Sequence, residues 1–442
     1  MRRILTFALL ALFLSADAQT DGAWTLRQCI EHAVKNNITV KQYAVRTDQQ
    51  EIELNTAKNS RLPDLSASAS QNWSFGRGLT AANTYTDTNT SSTSFSLGTN
   101  VPLFTGMSIP NTIELNKLNL EAATADLEKA KDDIKVQVAQ AYVQILYAME
   151  LCDVARRQIT IDSMHVYRLQ EMYATGKASG VEVAQQEATL AQSKLTATQA
   201  ENDYRMALLA LSQLLELPSP EGFGIQRISA DDIKVLKEYV LPLPDEVYNE
   251  AVFVKPQIKA EEFRLKGTEK NILIAKSALY PKLSFAAGLG SNYYKTSGYE
   301  AAPFGRQMKN NFSQYLGFNL TVPIFNRMAT RNSIRSARLN QQQQKLQLDN
   351  VRKELYKEIQ QAYYNAVAAR AKYESCMVAA GSNKEAFDLM SAKYEYGKAN
   401  ITEFNESKNN WLKAESDLVR AKYEYMYQTS LMDFYRGREL TF

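Results

Sequence analysis

The chain is short of the residues that break helices. Its 442 residues include 18 glycines and 11 prolines, fewer than average usage would place in a chain of this length. Long stretches run without punctuation, which favours long helices. Histidine is nearly absent, with His32 and His165 alone; two are too few for a histidine-based metal site or proton relay. Three cysteines, Cys29, Cys152 and Cys376, stand far apart in no metal-ligand spacing. Buried free thiols are the expected reading, and neither a metal nor a cofactor is expected. No glycine-rich phosphate loop and no nucleophile–base constellation stands out, which argues against an enzyme. Charge of one sign is missing too, with 51 basic residues against 48 acidic ones. A nucleic-acid partner needs a basic face, so none is expected. Beyond the leader described next, no apolar run reaches the roughly 18 residues of a transmembrane helix.

Residues 1–18 read as a secretory signal. Arg2 and Arg3 precede an apolar stretch from Ile4 to Leu14, and Ala16-Asp17-Ala18 has the small-x-small form of a cleavage site. The mature chain is then expected either to be soluble in an exported compartment or to cross a membrane as β-strands.

What is present is a duplication. Ala57-Lys58 and Pro63 match Ala275-Lys276 and Pro281 at an offset of 218 residues. Val101-Pro102-Leu103-Phe104 matches Val322-Pro323-Ile324-Phe325 at an offset of 221, and Gly176-Lys177-Ala178 matches Gly397-Lys398-Ala399 at the same offset. The extra residues fall between the two prolines of each half, where a surface loop is expected. The period is too long for a solenoid unit and marks a duplicated, domain-sized repeat.

Each repeat opens with helical pattern. Thr25 with Gln28 forms a capping box, with a break at Asn36-Asn37. In the second repeat Asp245 is the expected cap of a short helix and Pro256 the expected first residue of the next. After Pro63 and Pro281 the period changes to two, and the returning runs end near Pro102 and Pro323. These four prolines mark expected strand–helix junctions, with hairpins over 64–101 and 282–322. Runs of about nine to eleven residues suit tilted membrane strands. Trp73, Phe75, Tyr293, Tyr294, Tyr299, Phe312 and Tyr315 lie near strand ends, as an interfacial girdle would. The alternation by itself fits an ordinary two-stranded hairpin equally well.

A long helix follows in each repeat. Residues 111–173 contain neither proline nor glycine, enough for about 93 Å of helix. Ile134, Val138, Ala141, Ile145, Ala148, Cys152, Ala155 and Ile159 step alternately by four and three, a heptad seam. Residues 330–394 repeat the pattern with Gly381 as the exception. Turns at 174–180 and 395–401 lead into return helices with a small-residue seam at Val181, Ala184, Ala188, Ala191, Leu195 and Thr198. The resulting division is a first repeat over 19–217, a linker over 218–244, a second repeat over 245–435 and a tail over 436–442. Entry and return helices laid end to end match the long helix. Two hairpins per chain cannot close a barrel, and open strand edges are not tolerated in lipid. Three copies supply about twelve strands, within the known range of such barrels.

The proline-bounded hairpins, with Tyr173, Gly176 and Glu182 in one turn and Tyr394, Gly397 and Glu403 in the other, resemble the TolC-like outer-membrane efflux family over about 24–435. The resemblance implies a mainly α fold with a membrane β-barrel part, a helical coiled-coil barrel and a homotrimer. It further implies an outer-membrane location in a Gram-negative cell with a long periplasmic extension. The implied partners are outer-membrane lipid, a periplasmic adaptor and an inner-membrane transporter. The family carries acidic rings at its closed tip, and Glu403 and Glu406 occupy those positions. Its tip lock joins an acid, a tyrosine and a base across helices. Glu182 and Tyr394 match the first two, Ala399 stands at the basic position, and Lys398 is adjacent. Gly176 and Gly397 are expected to permit the tight turns. The implied function is a trimeric exit duct for small molecules or polypeptides. The competing reading is a structural coiled-coil protein of the periplasm or cell surface.

Overall fold

The computed structural model describes residues 23–79, 83–228 and 239–440. The expected signal segment lies outside them, as do the middle of the 218–244 linker and the last two residues. Among the described residues the helices are α1 (Leu26–Asn36), α2 (Ile38–Asn59), α3 (Ser108–Ala174), α4 (Gly180–Leu214), α5 (Pro244–Val254), α6 (Pro256–Ser277), α7 (Phe304–Asn310), α8 (Ala329–Glu395) and α9 (Ile401–Tyr435). The strands are β1 (Ser66–Ser74), β2 (Arg77–Leu79), β3 (Tyr85–Asp87), β4 (Thr90–Phe104), β5 (Lys282–Thr296) and β6 (Ser313–Thr321). Both long helices have 67 residues and both return helices 35, so the duplication is exact in the length of these helices. Thr25 caps α1 in a complete capping box, and Asn37 separates α1 from α2. Pro256 opens α6 as expected. Asp245 is not a cap: α5 already begins at Pro244, and Asp245 accepts from the Tyr356 hydroxyl at 2.7 Å.

Two compact units emerge, and they cut across the repeats. One holds Gln42–Lys129 and Lys255–Leu355; the other holds the residues up to Lys41, Ala130–Val254 and Tyr356 onward.

The first unit contains the sheet. Its strand order is β1-β4-β5-β6, entirely antiparallel, so the two hairpins join through β4 and β5. The register puts Leu97 opposite Ala67 and Leu289, Phe285 opposite Val101 and Phe318, and Ala287 opposite Leu316. One face is therefore apolar, because cross-strand partners share a face. Phe285 and Phe318 pack on it with tilted rings, centroids 5.3 Å apart. The other face carries Ser68, Ser70, Ser94, Ser96, Gly288 and Gly290. Facing serine hydroxyls there lie 2.7 Å apart, Ser68 with Ser96 and Ser70 with Ser94. Tyr315 departs from the expected girdle: it lies opposite Gly288, and its ring occupies the space that a Cβ at Gly288 would fill. The glycine thus admits an aromatic ring onto the polar face.

Three junction prolines flank strands as expected. Pro63 precedes β1, Pro281 immediately precedes β5, and Pro323 follows β6. Pro102 does not end its strand. It lies inside β4, where the register shifts between Pro102 and Phe104 in a bulge that accommodates the missing N–H. The hairpin tips differ as the length offset implied, with the small β2–β3 ribbon in one and α7 in the other. Both repeats enter the long helix through two left-handed residues, Gly106 and Met107 at φ +64° and +69°, and Arg327 and Met328 at +54° and +66°. α6 is tied to the long helices by Arg264–Asp126 and by Arg352–Glu262 at 2.9 Å.

The second unit packs α3 and α8 with their return helices. Of the α3 seam, Ile134, Val138, Ile145, Ala148, Cys152 and Ala155 are buried. Tyr142 donates to the backbone oxygen of Gln226 at 2.8 Å, anchoring the chain segment after α4, whose Ile225 bridges to Trp24. Arg436 grips Glu250 of α5 with two hydrogen bonds of 2.8 and 2.9 Å. The α4 seam behaves differently. Val181 (75%) and Leu195 (51%) are exposed, as are Ala184, Ala188 and Ala191, while Gln186 and Ser193 are buried instead. The small-residue stripe thus faces away from this chain's own core.

Gly106 and Gly397 offer a direct comparison. A Cβ at Gly106 would meet the Ser277 carbonyl oxygen at 2.4 Å, whereas one at Gly397 meets nothing within 4 Å. Gly397→Ala should cost only the left-handed penalty of about 1–2 kcal/mol. Gly106→Ala should lower the thermal midpoint further, by at least a further 1 kcal/mol or so in stability, in melts of the purified protein followed by circular dichroism.

Candidate functional site at the helical tip

The two tip turns are built alike. α3 ends in a Schellman arrangement: Gly176 at φ +70° donates to Tyr173 O at 2.9 Å and Lys177 to Met172 O at 2.8 Å. α8 ends the same way, with Gly397 at φ +70° donating to Tyr394 O and Lys398 to Lys393 O. Only a residue without Cβ enters that region freely. Ser179 and Asn400 then open the return helices as caps of complete capping boxes. Their acidic partners are Glu182 and Glu403, whose carboxylates accept from Ser179 N at 2.7 Å and Asn400 N at 3.0 Å. These bonds hold the Glu182 carboxyl below its ordinary range. Glu403 therefore has a local role that the acidic-ring expectation did not include. Glu406 is exposed on α9, and Phe404 and Lys408 point inward from the same turns with no exposure at all.

Tyr394 is half-buried beside Phe404, with ring centroids 5.0 Å apart, and His165 of α3 packs on Phe404 at 4.3 Å. Phe387 and Trp411 extend the cluster in a stacked pair 4.9 Å apart. Burial pushes the Tyr394 phenol up; nearby Arg168 opposes the shift and Glu182 adds to it. So the structure brings Glu182 and Tyr394 near one another. The cation beside them is Arg168, whose guanidinium lies 5.8 Å from the Tyr394 ring centre and 3.4 Å from the Glu395 carbonyl oxygen. Lys398 supplies a backbone N–H to the helix cap, and its side chain is exposed.

One cluster escaped sequence reasoning. Asp162 of α3 and Lys408 of α9 form an ion pair with both side chains fully buried. The Asp162 carboxylate also accepts from Gln158 Nε2 at 2.6 Å, from Ser193 Oγ and from Gln186 Nε2 at 3.4 Å. Asn405 of α9 donates to Gln186 Oε1 at 3.4 Å. Three helices from both repeats thus meet on one carboxylate. A signal existed: Asp162 is the next step of the α3 seam after Ile159, so a carboxylate stands where an apolar residue belongs. Removing one partner would strand a buried charge at a cost of about 3–5 kcal/mol.

Two expectations follow from this geometry. Ser179→Ala and Asn400→Ala should each destabilise the tip by about 1 kcal/mol, read as faster proteolytic nicking near 174–180 and 395–401 respectively. Burial, helped by the neighbouring Lys408 and Arg168 cations and resisted by Asp162 and Glu395, lowers the His165 pKa below the ordinary 6.5. The unfolded chain then binds the proton more readily than the folded one. The stability that neutral His165 provides is complete above about pH 6.5 and is lost as pH falls through its lowered folded value. A pH series of thermal midpoints should show this decline, and His165→Gln should flatten it.

Comparison with known proteins places this architecture. A family model described as outer membrane efflux protein matches residues 29–216 and 247–431. The pyoverdine export outer membrane protein OpmQ of Pseudomonas aeruginosa is 28% identical over 209 residues, covering 47% of this chain and 41% of OpmQ. Protein CyaE of Bordetella pertussis is 25% identical over 316 residues, covering 67% of this chain and 61% of CyaE. The chain thus spans about half the length of these curated relatives. The CmeC outer membrane channel of Campylobacter jejuni has the same fold, with a TM-score of 0.76 at 20% identity over 94% of this chain and 87% of CmeC. With both tandem repeats matched by the family model, the chain belongs to the outer membrane efflux protein family.

Proposed function

We propose that the chain is one subunit of a trimeric outer-membrane duct. The duct carries small molecules or polypeptides from the periplasm to the exterior, and an inner-membrane transporter joined through a periplasmic adaptor supplies the energy. The observation that carries this reading is the four-stranded sheet with two open edges, β1 and β6. One face is apolar and exposed, with Leu316 at 79% and Phe318 at 73%; the other is lined with serine and glycine. In hydrocarbon such a sheet has unpaired backbone groups along both edges, and pairing β1 of one copy with β6 of the next satisfies them. Three copies close a twelve-strand barrel, lipid on the aromatic side and water on the serine side. The exposed small-residue seam of α4 needs the same company, since small side chains allow a neighbouring copy's helix to approach closely.

Glu403 and Glu406, three residues apart on α9, share a helix face. Three copies set them as two rings of carboxylates at the narrow end, which favour cations. Glu403 serves its cap and its ring at once, because a carboxylate has acceptor capacity beyond the one cap bond.

The test is extraction followed by electrical recording. A heat-resistant trimer in the outer-membrane fraction, giving small cation-selective currents in planar bilayers, is the expected result. Release by salt alone would favour the structural coiled-coil reading. Glu403→Gln combined with Glu406→Gln should reduce the cation-to-anion permeability ratio severalfold, by about the loss of six carboxylates from one constriction; an unchanged ratio would overturn the ring assignment.

A further inference from the structure

We propose that the buried Asp162–Lys408 pair is the latch of the closed tip, released when α9 withdraws from α3 and α4 within one copy. The proposal rests on the duct reading above and supplies a charged link where the family's surface lock has Ala399. Its first support is placement. Lys408 lies on α9 just beyond Glu403 and Glu406, so outward movement of this segment carries both proposed rings with it. Its partner sits on α3, and the carboxylate is shared with Ser193 and Gln186 of α4.

The second support is the chemistry of burial. Two fully buried charges gain little over well-packed apolar side chains of similar volume, and the best-attested use of such a pair is to set a register or a switch. Separating the partners while either stays dry leaves a bare charge in a low-dielectric core. The pair therefore breaks only when water reaches both groups, which makes closed and open discrete states. Gln158 Oε1 and Asn405 Oδ1, buried beside the pair, have no hydrogen-bond partner among the described residues. A network that is incompletely satisfied is not optimised for stability alone.

The third support is broken symmetry. At the repeat offset of 221, Asn383 corresponds to Asp162, Glu187 to Lys408, Ala414 to Ser193 and Ala379 to Gln158. The duplicated positions hold no such pair, and Glu187 instead accepts from Gln170 at 2.9 Å. By the pseudo-two-fold relation, the equivalent contact lies between α8 of one copy and α4 of the next. The latch is therefore internal to each copy, and the contact between copies lacks it.

The experiment compares full-length trimers in planar bilayers: wild type, Lys408→Met, Asp162→Asn, and the double variant Asp162→Leu with Lys408→Met. Each single variant strands a charge and should raise mean current about fivefold or more. The double variant strands none and exposes apolar surface on opening, so its mean current should fall about fivefold or more below wild type with helical content unchanged. Single variants that assemble yet conduct like wild type, or a double variant that does, would overturn the latch. If the single variants fail to assemble, the double variant decides alone. Silence from every form, wild type included, would remove the duct reading and the latch with it.

Discussion

Backbone hydrogen bonding at the two free edges of one sheet is the constraint from which the rest follows. Among the described residues, β1 and β6 each have a strand neighbour on one side only. In water such edges are solvated; in lipid each unsatisfied group costs several kcal/mol. The residue pattern shows which solvent was selected for. Phenylalanines and leucines of β4, β5 and β6 line one face together with alanines of β1, and serines and glycines dominate the other. A soluble hairpin would bury the aromatic face against its own helices. Here that face is exposed, and a membrane is the solvent that suits it.

The helical tip is governed by a different balance. Its backbone ends are closed locally, by two Schellman turns and two capping boxes, so neither turn needs a partner to be satisfied. Its interior is where the helices are tied to one another, and the tie is polar. Asp162, Gln186, Ser193 and Lys408 are all buried, at depths where apolar residues would hold the bundle at least as firmly. Next to them the aromatic cluster of Phe387, Phe404 and Trp411 supplies ordinary apolar packing. A site that joins strong packing with a charged pair is held in one register and is costly to disturb by halves.

The repeats share their skeleton and differ in their chemistry. The long and return helices, the Schellman glycines, the capping boxes at the tip and the paired left-handed residues before each long helix recur at one offset. The buried pair, the aromatic cluster and the hairpin tips do not. Duplication preserves what backbone geometry demands, because Gly176 and Gly397 meet the same steric requirement. Side chains that face different neighbours are free to diverge.

The sequence by itself determined the local elements. The unbroken stretch 111–173 lies within the helix Ser108–Ala174, and the Asn36-Asn37 break, the capping box at Thr25 and the period-two runs all appear where the pattern puts them. Such signals act over a few residues, through dihedral preference, capping and alternation, and so survive without a structure. Tertiary structure alone decided that Pro102 sits within a bulged strand, that Tyr315 covers Gly288 on the polar face and that the α4 seam is turned outward. It also decided the union of Lys408 with Asp162, which are 246 residues apart. No local pattern links groups so distant; only the packing of three helices brings a lysine and a carboxylate together out of water.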